Sequence, residues 1–347
     1  MNRFSDIPVS VLDLAPIVEG GTAGDALRNS LDLARHAEKW GYHRFWLAEH
    51  HSMPGIASAA TSVVIGHIAG GTSKIRVGSG GIMLSNHAPL MIAEQFGTLE
   101  SLYPGRIDLG LGRAPGTDQA TVRFLRRGLN STGDEFPDQL SELKSFLQRT
   151  IPNQRVMAVP GAGLKIPIWL LGSGGFSAQL AGQLGLPFAS AGHFSPENLL
   201  PGLKLYRESF VPSPVLEKPY ALVCINVFAA DQEEEARRIA TSQRQAHVQL
   251  RRGTPIQLPP PLNPDEVKAD PREEHEINAT LRASIIGTGE TVATQLDSLL
   301  EETQADELMI HSMIYDHAAR LRSYEIVKEV HQGKTSAPET LCSGCAS

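Results

Sequence analysis

The polar residues that follow short β-rich runs are where this chain could do chemistry. The run ending at Ala48 continues as Glu49-His50-His51. An imidazole titrates near neutral pH, so a histidine beside a carboxylate suits proton transfer. Two other readings stand beside it. Histidines at a strand end can simply hydrogen-bond to loop backbone. They can also bind a metal, but successive residues leaving a strand point to opposite sides, so His50 and His51 would seldom share an ion. No H-x-H or H-x-x-x-H spacing accompanies them.

A second cluster is Gly172-Ser173-Gly174-Gly175-Phe176-Ser177, which opens a helical pattern containing Ala178, Leu180 and Ala181. Glycines let backbone N–H groups approach a ligand, and a helix N-terminus adds positive potential, so a phosphate would sit well there. A tight turn without a ligand would use the same glycines. Arg113 follows Gly110-Leu111-Gly112, and its guanidinium could hold that phosphate with two hydrogen bonds. The competing expectation for Arg113 is a salt bridge to Asp108 or Asp118. Gly80-Gly81 and Asn86-His87 follow a further β-rich run.

Eight such runs lie at 8–12, 43–48, 75–80, 107–112, 167–172, 187–191, 221–228 and 307–311. Helical patterns separate most of them. Leu27, Leu31, Ala34 and Ala37 precede Gly41, and others span 88–102, 136–148, 177–184, 196–210, 232–251, 290–302 and 317–331. Strand–helix alternation forces parallel pairing, the near-continuous apolar character of the runs fits strands buried on both faces, and eight units predict a closed (β/α)8 TIM barrel. Active sites of such barrels form at the C-terminal ends of the strands, which would bring Glu49, His50, Arg113 and the glycine turn to one mouth. An open doubly wound sheet would want G-x-G-x-x-G after the first strand, where Asp13-Leu14-Ala15-Pro16 stands instead.

Two segments are not plain connections. Residues 112–135 carry Arg123, Arg126 and Arg127 on an expected short helix. Residues 252–274 contain Pro255, Pro259, Pro260, Pro261, Pro264 and Pro271, which helix and strand interiors reject, so they are expected to form an inserted lid loop between the seventh and eighth strands. One barrel domain is expected over 1–332, with a disordered tail over 333–347. Cys342 and Cys345 of that tail have a C-x-x-C spacing but no second pair of metal ligands.

The 347 residues are 41% hydrophobic and 20% charged, with a formal net charge of −7. That balance argues against nucleic acid and against an anionic membrane as partners. Residues 1–6 lack the pattern of a signal peptide, no apolar run approaches the roughly 20 residues that span a bilayer, and three cysteines cannot build a disulfide framework. A reducing cytoplasm is the expected location.

Phe45-Trp46-Leu47-Ala48-Glu49-His50-His51, Gly78-Ser79-Gly80-Gly81-Ile82-Met83-Leu84, Pro104-Gly105-Arg106 leading to Gly110-Leu111-Gly112-Arg113, and Pro167-Ile168-Trp169-Leu170-Leu171-Gly172-Ser173 together resemble the luciferase-like flavin monooxygenases. So do Gln183-Leu184-Gly185-Leu186-Pro187 and the stretch from Gly287 to Leu308. The resemblance covers about residues 6–330 and lies nearest the single-chain bacterial branch. It implies reduced FMN across the barrel mouth, its phosphate held by Arg113 and by the turn at Gly172, Ser173, Gly174, Gly175 and Ser177. His50 matches the family's catalytic histidine beside the flavin ring, with Glu49 and His51 as pocket or support residues. Gly80-Gly81 matches a non-prolyl cis peptide behind the flavin. Gly112 stands where the light-emitting enzyme has a reactive cysteine, so light emission is not expected.

The resemblance further implies an FMN-dependent monooxygenase that oxygenates a small substrate with O2 through a flavin C4a-peroxide. Reduced flavin would come from a separate reductase, and the helices after the second and third strands would form a homodimer contact. A deazaflavin-dependent dehydrogenase on the same fold and a non-catalytic flavin-binding protein are the alternatives. A metal-dependent barrel hydrolase is a further one, and no metal is expected. The substrate itself has no signature in the residues.

Overall fold

A computed structural model describes residues 4–125 and 134–334 of the chain. Its strands are β1 Val9–Asp13, β2 Arg44–Leu47, β3 Arg76–Met83, β4 Ile107–Gly112, β5 Ile168–Gly172, β6 Phe188–Ser190, β7 Ala221–Ala229, β8 Ile285–Gly287 and β9 Glu307–His311. The helices are α1 Ala23–Trp40, α2 Thr61–Gly70, α3 Pro89–Leu102, α4 Gln119–Leu125, α5 Phe136–Leu147, α6 Gly175–Gln183, α7 Leu199–Glu208, α8 Glu233–Arg251, α9 Pro271–Leu281, α10 Gly289–Thr303 and α11 His317–His331. Strands β1 to β6 pair in sequence order, β6 pairs with β7, β7 with β9 and β9 with β1, all parallel. The ring is closed, as the strand–helix alternation predicts.

Side chains alternate between the two faces of the ring, except in β3, where the register shifts between Ser79 and Ile82. Val9 and Val11, Phe45 and Leu47, Ile107 and Leu109, and Leu308 and Ile310 join the outer core beneath the helices. The inward positions are stacked by height. Leu12, Trp46, Trp169, Leu222 and Met309 fill the middle of the barrel.

Below them lies a buried charged floor. Arg44 donates to Asp108 at 2.8 Å and to Glu307 at 2.9 Å, and Arg76 also pairs with Asp108. The Trp46 indole N–H donates to Asp108, while Ser10 and Tyr220 donate their hydroxyls to Glu307. The floor therefore ties together β1, β2, β3, β4, β9 and Tyr220, the residue before β7.

Several elements differ from the sequence reading. Helix α2, expected after the second strand only from the resemblance, shows no helical pattern of its own, because Val63, Val64, Ile65 and Ile68 spread apolar character round it and leave no amphipathic stripe. Strand β8 is a ninth strand, three residues long, paired only with Val227, Phe228 and Ala229 at the far end of β7. The proline-rich segment is ordered in part. Leu258 bridges to Val18, residues 264–266 form a 3-10 turn, and Pro271 is the first residue of α9, where its missing N–H costs nothing. The loop expected over 252–274 thus ends in a helix. Arg123 lies on α4 as expected, whereas Arg126, Arg127 and residues 335–347 with Cys342 and Cys345 fall outside the described residues.

Removing one carboxylate from the floor should be costly, because it leaves buried guanidinium charge short of a partner. We expect Asp108→Ala to lower the free energy of unfolding by about 3–5 kcal/mol. Denaturant titration followed by circular dichroism measures it, and a change below about 1 kcal/mol would mean that the floor contributes only polarity.

Candidate active site

A cavity of about 660 Å³ opens at the C-terminal ends of the strands. His50 reaches it from the end of β2, Gly80 and Gly81 from β3, and Arg113 from the end of β4. The β5–α6 turn contributes Gly172, Ser173, Gly174, Gly175 and Ser177. Residues flagged by the sequence on four different strands therefore share one chamber. Pro255, Ile256 and Leu258, from the segment expected to be a lid, line it from one side.

The Gly80–Gly81 peptide is cis, as the resemblance implied. A Cβ on Gly80 would stand 2.8 Å from the Leu12 side chain, and one on Gly81 would stand 2.8 Å from the Gly110 carbonyl oxygen. Both distances are too short for carbon, so this wall of the cavity is bare backbone.

The start of α6 is open. Gly174 is the N-cap, in extended backbone, and no side chain caps the helix. The first N–H groups of a helix have no intrahelical partner, so those of Gly175, Phe176 and Ser177 concentrate positive potential at the cavity wall. The guanidinium of Arg113 lies over the Phe176 ring, 4.4 Å from its centroid, at this same turn. The rival expectation for Arg113 is not met. Asp108 is buried in the floor, and Asp118 accepts from the backbone of Ala120 and Thr121 at the start of α4. Among the described residues no carboxylate pairs with Arg113.

Glu49 and His51 do not line the cavity. Glu49 is 1% exposed and accepts hydrogen bonds from His51 Nε2 at 2.8 Å, His87 Nε2 at 2.9 Å, the Met83 N–H and the Asn86 amide. Burial alone would raise its pKa, but the bonds from His51 and His87 outweigh it and hold the carboxyl at about 2. Glu49 is an anionic anchor for the loops after β2 and β3. His50 turns the other way. Its Nδ1–H donates to the Gly116 carbonyl at 3.1 Å, and burial lowers its pKa against the partial opposition of that bond, so the ring is neutral.

Three cavity histidines were missed, of which His247 lies on α8. His193 lies on the loop after β6, and His311 ends β9, with its Nδ1–H donating to the Leu12 carbonyl at 3.2 Å. Both sit at strand ends, so the rule that selected His50 and Arg113 would have found them had it been applied to the sixth and eighth runs.

Residues 7–307 match the model of the luciferase-like monooxygenases. The chain belongs to that family. It is 55% identical to a luciferase-like monooxygenase of Escherichia coli (strain K12), over 94% of this chain and 97% of the relative. It is 34% identical to the N-acetyl-S-alkylcysteine monooxygenase of Bacillus subtilis (strain 168), over 93% and 98% of the two chains. The crystal structure of apo-MsnO8 superposes with a TM-score of 0.83 at 34% identity, covering 94% of this chain and 98% of that one. The oxygenating constituent of 3,6-diketocamphane monooxygenase from Pseudomonas putida, solved in complex with FMN, shares the fold at a TM-score of 0.71 and 18% identity, over 96% and 99%. This luciferase-like monooxygenase is thus an oxidoreductase. Among its described residues no helix is long and apolar enough to cross a membrane, and no group of three His, Cys, Asp or Glu residues is placed to hold a metal ion.

The buried histidines make stability depend on pH. Burial pushes His311 down to about 4, whereas an unfolded histidine titrates near 6.5. Its contribution is therefore fully present above pH ~6.5. It is lost as the unfolded chain alone takes up a proton between those two values, a difference of about 3 kcal/mol. We expect His311→Leu to have a flatter stability profile than wild type across that window. Parallel profiles in denaturant would show that His311 titrates normally.

Proposed function

We propose that this luciferase-like monooxygenase uses reduced FMN and O2 to oxygenate a small organic substrate. The observation that carries the reading is the guanidinium of Arg113 stationed at the uncapped first turn of α6, within the cavity that His50 and the Gly80–Gly81 backbone line. The donors fit the group. A phosphate needs charge-assisted and backbone N–H donors together, which Arg113 and the amides around Gly174, Gly175 and Ser177 supply. A flat ring needs a wall without side chains, which Gly80 and Gly81 supply.

When bound, reduced FMN would supply two electrons, with one atom of O2 entering the substrate and the other leaving as water. The protein's own residues bind, position and protect. Arg113, Gly172, Ser173, Gly174, Gly175 and Ser177 hold the phosphate end. Leu12, Trp46 and Leu222 keep the inner chamber apolar and exclude water. His50 presents a neutral Nε2 able to accept and return a proton, while its Nδ1–H is fixed to Gly116. Glu49 and His51 support this arrangement from behind. The segment carrying Ile256 and Leu258 acts as the lid.

The same reading places the enzyme in the cytoplasm, with a separate reductase delivering reduced flavin. It also makes the enzyme a homodimer through α2 and α3, where Val63 and Met91 are exposed.

Arg113→Ala should weaken FMN binding by about 1.5–3 kcal/mol, the worth of a hydrogen bond involving charge, and leave riboflavin binding unchanged. Equal losses for both ligands would remove Arg113 from the phosphate site. A copurifying chromophore with a deazaflavin spectrum would overturn the choice of FMN itself. His50→Ala should retain FMN yet lower the rate of product formation by roughly 10²–10⁴-fold. Loss of flavin from that variant with turnover intact in the remainder would make His50 a binding residue instead.

A further inference from the structure

Four histidines line the cavity, and the protons of three of them, His50, His193 and His311, can be placed. His50 and His311 each direct Nδ1 at a carbonyl oxygen, which can only accept, so each carries its proton on Nδ1 and exposes a lone pair at Nε2. His193 is the reverse. Its Nδ1 is sealed from solvent with no partner. An orphaned N–H is rarer and costlier in a protein interior than an orphaned lone pair, so its proton sits on Nε2. The three Nε2 atoms are not among the sealed, partnerless atoms and among the described residues no group bonds them, so they open into the cavity that the rings line. The rings of His193 and His311 stand edge to face with centroids 5.4 Å apart. A donor and an acceptor are thus presented side by side.

Their positions are fixed from behind. Asn226, level with His311 in the sheet, donates its amide to the His193 carbonyl oxygen and accepts from Gln243 Nε2 at 3.2 Å. Burial pushes His193 well below the ordinary imidazole range and lowers His50, His247 and His311 as well. Among the described residues no Asp, Glu or Lys lines the cavity, and its arginine, Arg113, lies at the α6 turn. The inner chamber therefore carries no formal charge; Leu222, Cys224 and Met309 give it apolar wall, with Ser190 and Gln243 as neutral polar neighbours.

We propose that His193 and His311 recognise an uncharged head group that both accepts and donates a hydrogen bond, a carboxamide or a hydroxyl, carried on an apolar chain. The inference rests on the reading that this cavity holds flavin and substrate together, and it names the substrate class. A carboxylate would meet the His311 lone pair and bury its charge without a counter-charge. An ammonium would meet the N–H of His193 and find no anion.

The test titrates hexanamide, 1-hexanol, hexanoate and hexylammonium into the full chain at neutral pH, with and without FMN. The readout is tryptophan fluorescence, since Trp46 lines the cavity. Hexanamide and 1-hexanol should bind at least about tenfold more tightly than the two charged probes, the cost of leaving a buried polar group unpaired. His193→Phe and His311→Phe should erase that preference without changing FMN affinity, and His193→Gln, which keeps an N–H, should retain it. Thermal melting confirms that each variant is folded. Hexanoate binding as tightly as hexanamide, or a preference that survives both phenylalanine variants, overturns the proposal. Failure of FMN to bind overturns the flavin reading alone, because the preference is also measured on the flavin-free chain.

Discussion

Arg44 lies at the closed end of the barrel between two carboxylates that come from far apart in the chain, Asp108 and Glu307. A buried ion pair does not earn much net stability by replacing water. Its value here is register. Each participating strand carries a floor residue, a middle residue and a mouth residue on the same face: Arg44, Trp46 and then His50 on β2 and its exit, Glu307, Met309 and His311 on β9. A slip of one residue would turn every inward side chain outward, so the pairing made at the floor decides which atoms face the cavity at the top. Glycine allows the same logic on β4. A Cβ on Gly110 would come within 2.1 Å of the Ser79 carbonyl oxygen, so β3 and β4 approach as closely as the floor requires only because that position is bare.

At the mouth a second buried carboxylate does the corresponding work. Glu49 gathers His51, His87, Asn86 and the Met83 N–H. Four donors on one anion fix the loops that leave β2 and β3. They also draw His51 away from the cavity while its neighbour His50 faces into it. The adjacent histidines are therefore chemically unlike. One is committed to an anion, and the other is a neutral ring with a free nitrogen.

The parts of this architecture legible in the residue order are those written in a single period. Alternating β and helical patterns disclosed the ring, and strand ends disclosed His50, Arg113 and the glycine turn. What stayed hidden depends on pairing across the barrel. Asp108 reads as a plausible partner for Arg113 until the floor claims it. Helix α2 keeps an apolar residue, Val63, on its exposed side as well as Val64, Ile65 and Ile68 on its buried one, and so it lacks the stripe that marks a surface helix. Strand β8 is too short for any pattern. His193 follows a three-residue strand, and its significance emerges only when His311 is brought edge to face with it.

The overhang of β7 has a consequence for how such a protein diversifies. Leu222–Asn226 pair with β9 inside the ring, whereas Val227–Ala229 pair only with β8. The segment between α8 and α10 ends on that overhang through β8, and on its way Leu258 pairs with the loop after β1 and, with Ile256, contributes to the cavity wall. Insertions or deletions there leave every pairing of the eight-stranded ring untouched, and loop closure becomes only slowly costlier with length. One side of the chamber is thus modular. Descendants of a common barrel can deepen or narrow the space around a shared reaction centre by exchanging a single cassette, while the charged floor that sets strand register passes on unaltered.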